Sequence, residues 1–327
     1  INLVLYDIKL DKYDIIDSLY AYNWQQGSKL MWLNDFEFIY NNYDKKANKY
    51  ISKIYNIKKK SFSIIDFPIY DTFEKTFAIS INFERLNIGR ADYAYKNKQT
   101  KIDWNNNSDD GLYYVDLVKN KTKLLITLED IIKLNYKETM NDAKHKFNHI
   151  MISPDGKKIM FMHRWFTKNN RRYDTLLVSN IDGSDIRIVA DDDMVSHCFW
   201  YGNNNIFAYL RDENFGDKFY MINIDTAQKK IIGKDLIDKL GDGHPTIFED
   251  NVVFDTYPNK ARMKELYLLN FKTEKLEKLG EFLEPFTYYG ETRCDLHPRW
   301  SFDGKKVFFD SVHTGKRKLY WIDIENE

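Results

Sequence analysis

Short apolar runs that alternate with polar turns recur along the whole chain, and this pattern predicts strands rather than helices. Four runs share one format: a histidine stands four residues before a polar turn, and an apolar strand follows the turn. These histidines are spaced 48, 47 and 53 residues apart, at His149, His197, His244 and His297. Self-similarity at about 40–50 residues, with several short strands per period, is typical of a β-propeller.

A second strand type also repeats, with an apolar residue and a tyrosine followed by Asp or Asn about three positions later. It occurs in residues 2–9, 111–117, 219–224, 266–271 and 318–323. We interpret these segments as outer strands of one blade type. With a turn at Asp11-Lys12 and a strand over residues 13–16, the chain therefore begins halfway through a blade.

We predict one all-β domain over residues 1–327, a β-propeller with four-stranded antiparallel blades. The predicted units are residues 1–20 (partial), 21–70, 71–135, 145–192, 193–238, 240–284 and 292–327. Seven blades are the favoured count, and six is the alternative, in which the N-terminal strands complete the final unit. Pairing of the two termini would remove exposed sheet edges in either case.

Three insertions interrupt the repeat. Residues 85–110 are polar, and residues 280–292 are aromatic. Residues 128–146 could form a helix that presents apolar side chains on one side: Leu128, Ile131, Ile132 and Leu134. Loops on a rigid repeat scaffold are where binding chemistry usually lies.

Composition narrows the class of partner. Lys plus Arg equals Asp plus Glu at 49 each, so no global field favours nucleic acid, and an anionic partner must be held by a local cluster of cations. No apolar run is long enough for a membrane span. Cys198 and Cys294 are the only cysteines, which argues against a disulfide scaffold and favours the cytoplasm. The first residue is Ile1 rather than Met, so the removal of a leader segment is a further possibility.

Equivalent positions on successive blades lie at the same height around the channel of a propeller. The four repeat histidines should therefore form an arc at one mouth of the channel. Imidazoles are common ligands of Mn, Zn and Fe and serve as general bases near neutral pH. The alternative is a structural histidine that bridges blades, as in WD-type repeats. His145 falls outside the register and is expected on a loop surface.

Cations accompany these histidines. Arg164 follows His163 directly, Arg211 takes the matching place in the next unit, and Arg293 and Arg299 flank the last repeat histidine. Arginine binds planar carboxylates in a bidentate manner, so the set predicts a carboxylate-bearing ligand. For any single arginine, a salt bridge between blades is the more common role.

The ordered histidine segments resemble oligogalacturonate-lyase-type propellers, a family of seven-bladed polysaccharide lyases. The resemblance covers residues 20–325 and is strongest over residues 147–315. The motifs that carry it are Asn23-Trp24-Gln25-Gln26-Gly27, Asn148-His149, Ser153-Pro154-Asp155-Gly156, Phe161-Met162-His163-Arg164-Trp165, Ser196-His197, Gly243-His244, Asp255-Thr256-Tyr257-Pro258 and Asp295-Leu296-His297-Pro298-Arg299-Trp300-Ser301.

This resemblance implies β-elimination on a uronic-acid-containing oligo- or polysaccharide. A metal or an arginine would neutralise the uronate carboxylate, a base would remove the C5 proton, and an acid would assist the leaving oxygen at C4. The implied catalytic residues are His149, His163, Arg164, Tyr257, Arg293 and Arg299. The implied substrate-binding residues are Trp24, Gln25, Trp165 and Arg211. The implied ligands of a divalent metal, Mn or Zn, are His197, His244 and His297.

One departure keeps other functions open. The family's pair of closely spaced late histidines is absent, because His297 and His313 stand sixteen residues apart. The chain could instead be a non-catalytic propeller that binds a glycan or a protein in surface-polysaccharide metabolism. A glycoside hydrolase would need paired carboxylates, for which Asp255 and Asp310 are candidates. The sequence sets neither the sugar, the linkage nor the oligomeric state.

Overall fold

The protein is an all-β β-propeller with antiparallel blades. The computed structural model describes residues 1–87, 91–98 and 101–324. The chain divides into two compact units, residues 1–150 and 151–327. Within each blade the strands pair in sequence order, as in a meander. No helix in the described ranges is long and apolar enough to cross a membrane.

The first unit begins with a two-stranded sheet and continues with two four-stranded blades. The hairpin consists of β1 (Asn2–Asp7) and β2 (Lys12–Ser18). The two blades consist of β3 (Met31–Asn34), β4 (Glu37–Asp44), β5 (Lys49–Asn56) and β6 (Ser61–Ile65), then β7 (Asp71–Phe73), β8 (Phe77–Ile81), β9 (Gly111–Asp116) and β10 (Lys121–Thr127).

The third blade starts with β11, which spans the boundary between the units, and three further blades follow. Their strands are β11 (Lys144–Ile152), β12 (Lys158–Phe166), β13 (Arg172–Asn180) and β14 (Arg187–Ala190); β15 (Val195–Tyr201), β16 (Asn205–Asp212), β17 (Gly216–Asn223) and β18 (Lys229–Ile231); β19 (Pro245–Phe248), β20 (Asn251–Asp255), β21 (Met263–Asn270) and β22 (Leu276–Leu283); and β23 (Arg299–Trp300), β24 (Lys306–Ser311) and β25 (Lys318–Asp323).

The described residues thus form six blades of three or four strands, rather than the favoured seven. The predicted outer strands at the N-terminus do form, as β1 and β2, but they make a two-stranded sheet of their own. Leu3 of this hairpin packs with Leu19, Phe38 and Tyr40 against the first blade. Without inner strands the hairpin is not a blade.

The recurring Ser-x-Asp-Gly turn adopts the same structure in the two blades that contain it. Ser153 Oγ donates to Asp155 at 2.7 Å, and Ser301 Oγ donates to Asp303 at 2.7 Å. Each serine Oγ also accepts the backbone N–H five residues later, at 2.9 Å. The closing glycine has φ of 71° in one turn and 67° in the other, a conformation that suits glycine. The turn therefore sets where each inner hairpin reverses.

Inner strands pack through both faces, which explains their continuous apolar runs. In the second unit, Met160 and Met162 of β12 pack with Trp200, Ile206 and Ala208 of the next blade. A corresponding cluster joins the last two blades through Val253, Leu266, Val307 and Phe309. Burial on both faces fixes the register of these strands, so it also fixes the positions of the residues at the strand ends.

The insertion after β10 is only partly helical. The helix α1 (Leu128–Leu134) begins with a capping box between Thr127 and Asp130. Leu128 and Ile131 are buried, but Leu134 is 49% exposed, so the predicted apolar side extends over one turn only. A 3-10 turn at Glu138–Met140 follows before β11 begins. The helix is short because a single i, i+3 pair faces the core.

The polar insertion of residues 85–110 is anchored by one buried guanidinium. Arg85 Nε donates to Asp110 at 2.7 Å, and its other nitrogens donate to the carbonyl oxygens of Asn106 and His145. Two 3-10 turns lie in this segment, Arg85–Asn87 and Ala91–Tyr93. Residues 88–90 and 99–100 of the insertion lie outside the described residues.

Candidate functional site

Three of the four repeat histidines meet in the second unit. His197 lies on β15, whereas His244 and His297 precede the inner strands β19 and β23. The ring centroids of His197 and His244 are 4.1 Å apart, and those of His244 and His297 are also 4.1 Å apart. The repeat register thus brings the three imidazoles together, as the sequence predicts. We call these residues the histidine cluster.

Asp255 orients the central histidine. It ends β20, is 1% exposed, and accepts the Nδ1–H of His244 at 2.8 Å and its backbone N–H at 2.7 Å. With Nδ1 held as a donor, Nε2 carries the free lone pair. That Nε2 is buried and has no hydrogen-bond partner among the described residues. A carboxylate that fixes an imidazole in this way is typical of metal-binding histidines.

The same carboxylate also holds the next blade. Asp255 Oδ2 accepts the backbone N–H of Leu296 at 3.0 Å and of His297 at 3.1 Å. His297 has φ of 43°, a left-handed conformation that costs roughly 1–3 kcal/mol for a residue other than glycine. Two hydrogen bonds to a buried carboxylate offset this strain. Asp255 therefore positions His244 and His297 together.

A parallel arrangement orients His197. Its Nδ1 lies 3.0 Å from Asp242 Oδ1, and the Ser196 hydroxyl donates to the other oxygen of the same carboxylate. Gly243, the next residue, donates its N–H to Asp242 at 2.9 Å. His197 and His244, which are neighbours in the cluster, thus each hold Nδ1 against an aspartate, Asp242 and Asp255 respectively.

A buried charge network lies beside the cluster. Lys264 is 1% exposed, and its Nζ contacts Asp295 Oδ1 at 2.8 Å and Glu284 Oε1 at 3.0 Å. Arg293 Nε donates to Asp295 Oδ2 at 2.8 Å. Arg262 pairs with Glu284 at 2.8 Å. Each buried carboxylate is therefore matched by two cations, which limits the cost of burying these charges.

Burial and neighbouring charges shift the pKa values of the histidines and aspartates of the site in different directions. Burial opposes ionisation of Asp255, but His244 and His297 hold its pKa below the ordinary range. Burial likewise opposes ionisation of Asp295, and Lys264 with the histidines holds its pKa well below that range. Burial and the neighbouring His244 lower the pKa of His197 and His297. For His244, burial is outweighed by Asp255, which raises its pKa.

One group of side chains in the cluster suits a metal ion. His244, Asp295 and His297 each offer one ligand atom, and these atoms all lie within 4.8 Å of one another. Two imidazoles and a carboxylate form a donor set that divalent transition metals accept, and the unpartnered His244 Nε2 fits this role. The repeat pattern predicts His244 and His297 as ligands but does not predict Asp295. Its spacing of two residues before His297 is the signal that could have revealed it.

Tyr257 and two arginines border the cluster. The Tyr257 ring centroid is 5.8 Å from that of His244 and 6.4 Å from that of His197, and the side chain is partly exposed. Arg293 contacts Asp295 as described above. Arg299 is exposed; its Nη1 donates to the His297 carbonyl at 2.9 Å and pairs with Asp310 at 3.2 Å. The structure therefore brings these three predicted residues to one region.

Other predicted residues lie elsewhere. His163, Arg164 and Trp165 are buried in β12, where Arg164 pairs with Asp174 and Trp165 stacks on Tyr173. The contacts of Arg164 and Trp165 lie within their own blade, so both side chains stabilise its packing. The role of these three residues in substrate chemistry stays a prediction. Arg211 lies on the surface of β16 in a salt bridge with Asp217 at 2.7 Å.

Three further predicted positions belong to the first unit. Trp24 is 42% exposed and makes an edge contact with Tyr22, whereas Gln25 beside it is buried. His149 has φ of 47°, and its backbone N–H donates to the Tyr70 hydroxyl at 3.2 Å.

His145 was expected on a loop surface, and this expectation is wrong. The ring is buried, and its Nε2 lies 3.3 Å from the Met140 carbonyl. Burial lowers the pKa of His145 to about 4. The loop is folded over it because the turn at Glu138–Met140 returns the chain to the blade.

Comparisons with known proteins identify the fold. Neither family sequence models nor curated protein sequences match the chain. An oligogalacturonate lyase from Vibrio parahaemolyticus superposes with a TM-score of 0.67 at 15% identity, over 99% of this chain and 83% of that one. An oligogalacturonate lyase in complex with manganese gives the same values. A prolyl endopeptidase gives 0.52 at 10% identity and is covered over 47% of its length. At the level of the fold, this chain is therefore a propeller like that of oligogalacturonate lyase.

Proposed function

We propose that this protein acts on a uronic-acid-containing oligo- or polysaccharide by β-elimination, at the histidine cluster of the second unit. The observation that carries the proposal is the group of His244, Asp295 and His297, whose ligand atoms, one from each residue, all lie within 4.8 Å of one another. The buried Nε2 of His244, which has no hydrogen-bond partner among the described residues, is available for such a role. The resemblance in fold to oligogalacturonate lyase, including one in complex with manganese, supports the same chemistry.

A divalent cation, Mn or Zn, would be held by His244, His297 and Asp295. When bound, it supplies a Lewis acid that neutralises the uronate carboxylate and acidifies the adjacent C5 proton. Asp255 prepares the two histidines for this role, since it fixes the ring of one and the backbone of the other. The site is thus preorganised by a buried carboxylate.

His197 and Tyr257 carry out the two proton transfers of the reaction. His197, oriented through Nδ1 by Asp242, removes the C5 proton with its Nε2. The electron pair of the C5–H bond forms the C4–C5 double bond as the C4–O bond breaks. Tyr257 donates its hydroxyl proton to the leaving oxygen, and Arg293 and Arg299 attract the acidic substrate. The sequence places His197 among the metal ligands; we assign it the role of base instead, because it lies beside His244 and is oriented by its own aspartate.

The activity is tested by incubating the protein with oligogalacturonate and Mn²⁺ or Zn²⁺ and measuring the ultraviolet absorbance of the unsaturated uronate product. We expect product with the native chain and at least ~100-fold less with His197→Ala. His313→Ala serves as the matched control because His313 bonds Ser311 outside the cluster. Absence of product across a panel of uronate glycans with either metal would refute the lyase proposal.

A non-catalytic, glycan-binding propeller is the second candidate, and the charge network favours it. Asp295 is already neutralised by Lys264 and Arg293 without a metal. Elemental analysis of purified protein separates the two candidates. Stoichiometric metal that disappears in His244→Ala supports the enzyme, whereas a metal-free protein that binds uronate glycans without product supports the binding module.

A further inference from the structure

A second polar cluster lies in the first unit, around the hydroxyl of Tyr70. Gln26 Nε2 donates to this oxygen at 3.4 Å, and the backbone N–H of His149 donates to it at 3.2 Å. The Tyr70 hydroxyl in turn donates to Asn148 Oδ1 at 3.4 Å. Residues from three separate segments thus meet at one buried phenol.

Two amide atoms of this cluster have no partner. Asn148 is 1% exposed, and its Nδ2 makes no hydrogen bond within the described ranges. The Oε1 of Gln26 is also buried without a partner there. Leaving one such group unsatisfied costs roughly 1–3 kcal/mol, so native structures rarely keep two together without a role. One is a donor and the other an acceptor, which is the pair that a sugar carboxylate and hydroxyl require.

Lys29 adds a positive charge beside the same tyrosine. Its Nζ lies 3.6 Å from the centroid of the Tyr70 ring, and its backbone has φ of 53°. The ammonium forms no salt bridge with any residue that the structure describes. Burial lowers the pKa of Lys29 to about 8, against the opposing effect of the Asp71 carboxylate. A partly desolvated cation that lies over an aromatic ring attracts an anion.

We propose that Gln26, Lys29, Tyr70 and Asn148 form a second binding site, which takes a carboxylate-bearing sugar. The carboxylate is received by the Lys29 ammonium and the Asn148 Nδ2–H, and a sugar hydroxyl donates to Gln26 Oε1. The exposed Trp24, in the same loop as Gln26, offers an apolar face to the pyranose ring. The choice of an acidic sugar rests on the proposed function.

The site is tested by isothermal titration of trigalacturonate into the full chain carrying His244→Ala, in the presence of a chelator, so that the histidine cluster holds no metal. We expect Lys29→Met to weaken binding at least ~10-fold, since one charge-assisted contact is lost. Lys45→Met is the matched control, because Lys45 Nζ lies 3.7 Å over the Tyr20 ring but on the exposed surface. Equal affinity in Lys29→Met and the parent overturns the proposal.

Two further measurements exclude a merely structural effect. Gln26→Glu, of the same shape, places a carboxylate in the cluster and should abolish binding, while Lys29→Arg should retain part of it. The pKa of ¹³C-methylated Lys29, followed by NMR, should rise when trigalacturonate binds and stay constant with neutral galactotriose. A pKa that trigalacturonate leaves unchanged contradicts the site.

The outcomes also separate this site from the lyase proposal. Lys29-dependent binding without any unsaturated product supports the second site and refutes the lyase. The second site alone is refuted by a different pair of results. The native chain forms product, and the chelated His244→Ala protein binds trigalacturonate equally well with and without Lys29→Met.

Discussion

The histidine cluster of the second unit and the Tyr70 cluster of the first unit use the same repeat position for different chemistry. The Tyr70 cluster comprises Gln26, Lys29, Tyr70 and Asn148. His297 and His149 both stand at a repeat position with a left-handed backbone, with φ of 43° and 47°. In the second unit a carboxylate, Asp255, receives the backbone N–H of His297. In the first unit a phenol, Tyr70, receives the backbone N–H of His149.

This difference in one acceptor changes what each cluster can bind. Carboxylates fix imidazole lone pairs and gather positive charge, so the histidine cluster suits a cation. The Tyr70 cluster offers neutral amides and a lysine, so it suits an anion. A shared backbone conformation thus does not imply a shared ligand; the residue that supports it decides the charge.

Removal of the central histidine should have the largest effect on this contrast. His244→Ala deletes the buried Nε2 and should weaken Mn²⁺ or Zn²⁺ binding by at least ~1,000-fold, more than the roughly 10–100-fold typical of residues that only support a ligand. Metal titration by calorimetry measures the change. His149→Ala, at the same repeat position, is the control; equal losses in both variants would contradict the contrast.

His145 is buried and lies on β11, three residues before Asn148. It should make the stability of the protein depend on pH. Its pKa is about 4 in the folded chain, below the ~6.5 of an exposed histidine. The unfolded chain therefore binds more protons between these values, so stability falls as the pH decreases from 6.5 to 4, by about 3 kcal/mol.

The comparison of native and His145→Gln proteins by urea unfolding at several pH values isolates this effect. The difference in unfolding free energy should change across that window and stay constant above it. His313→Gln, whose ring is partly exposed, is the control. A constant difference from pH 4 to 7 would rule out the buried neutral imidazole.

The two aspartates of the histidine cluster should separate binding from catalysis. Asp255→Asn disturbs His244 and should weaken metal binding about 10–100-fold. Asp242→Asn disturbs His197 and should leave metal binding unchanged while lowering the rate of product formation by a similar factor. Metal titration and initial rates, measured on both variants, test the division. Loss of metal from Asp242→Asn would place His197 among the ligands.

Tyr257→Phe should disturb the structure of the site least. The substitution removes one hydroxyl from a partly exposed ring, so the fold and the metal affinity should persist. We expect kcat to fall about 10–100-fold with KM nearly unchanged if the hydroxyl donates the proton. A rise in KM at constant kcat would instead assign Tyr257 to substrate binding.

Much of the fold is predictable from the sequence. The spacing of the four histidines and the alternation of strands and turns predict a propeller, since both follow local patterns. The two N-terminal strands form as predicted, and the described residues form six blades, the alternative to the favoured seven. Whether β1 and β2 gain inner strands depends on pairing between distant segments, which the local pattern does not contain.

The candidate site divides in the same way. The sequence by itself determined that His197, His244 and His297 share a register, because equal positions in a repeat become neighbours when blades stack. Only the tertiary structure decided which carboxylates orient them, since Asp242 lies 45 residues from His197, and Asp255 lies 42 residues from His297.

Tertiary structure also decided which predicted residues can reach a ligand. Arg164 directly follows His163, the pattern that predicts a catalytic arginine, yet it is buried in its strand and pairs with Asp174. Lys29 carries no motif, yet the fold sets its ammonium over Tyr70, 41 residues away, beside unpartnered amides. The sequence sets the repeat period and the chemistry of each side chain. Burial and long-range pairing depend on how the blades pack, so only the tertiary structure decides which charged groups can reach a ligand.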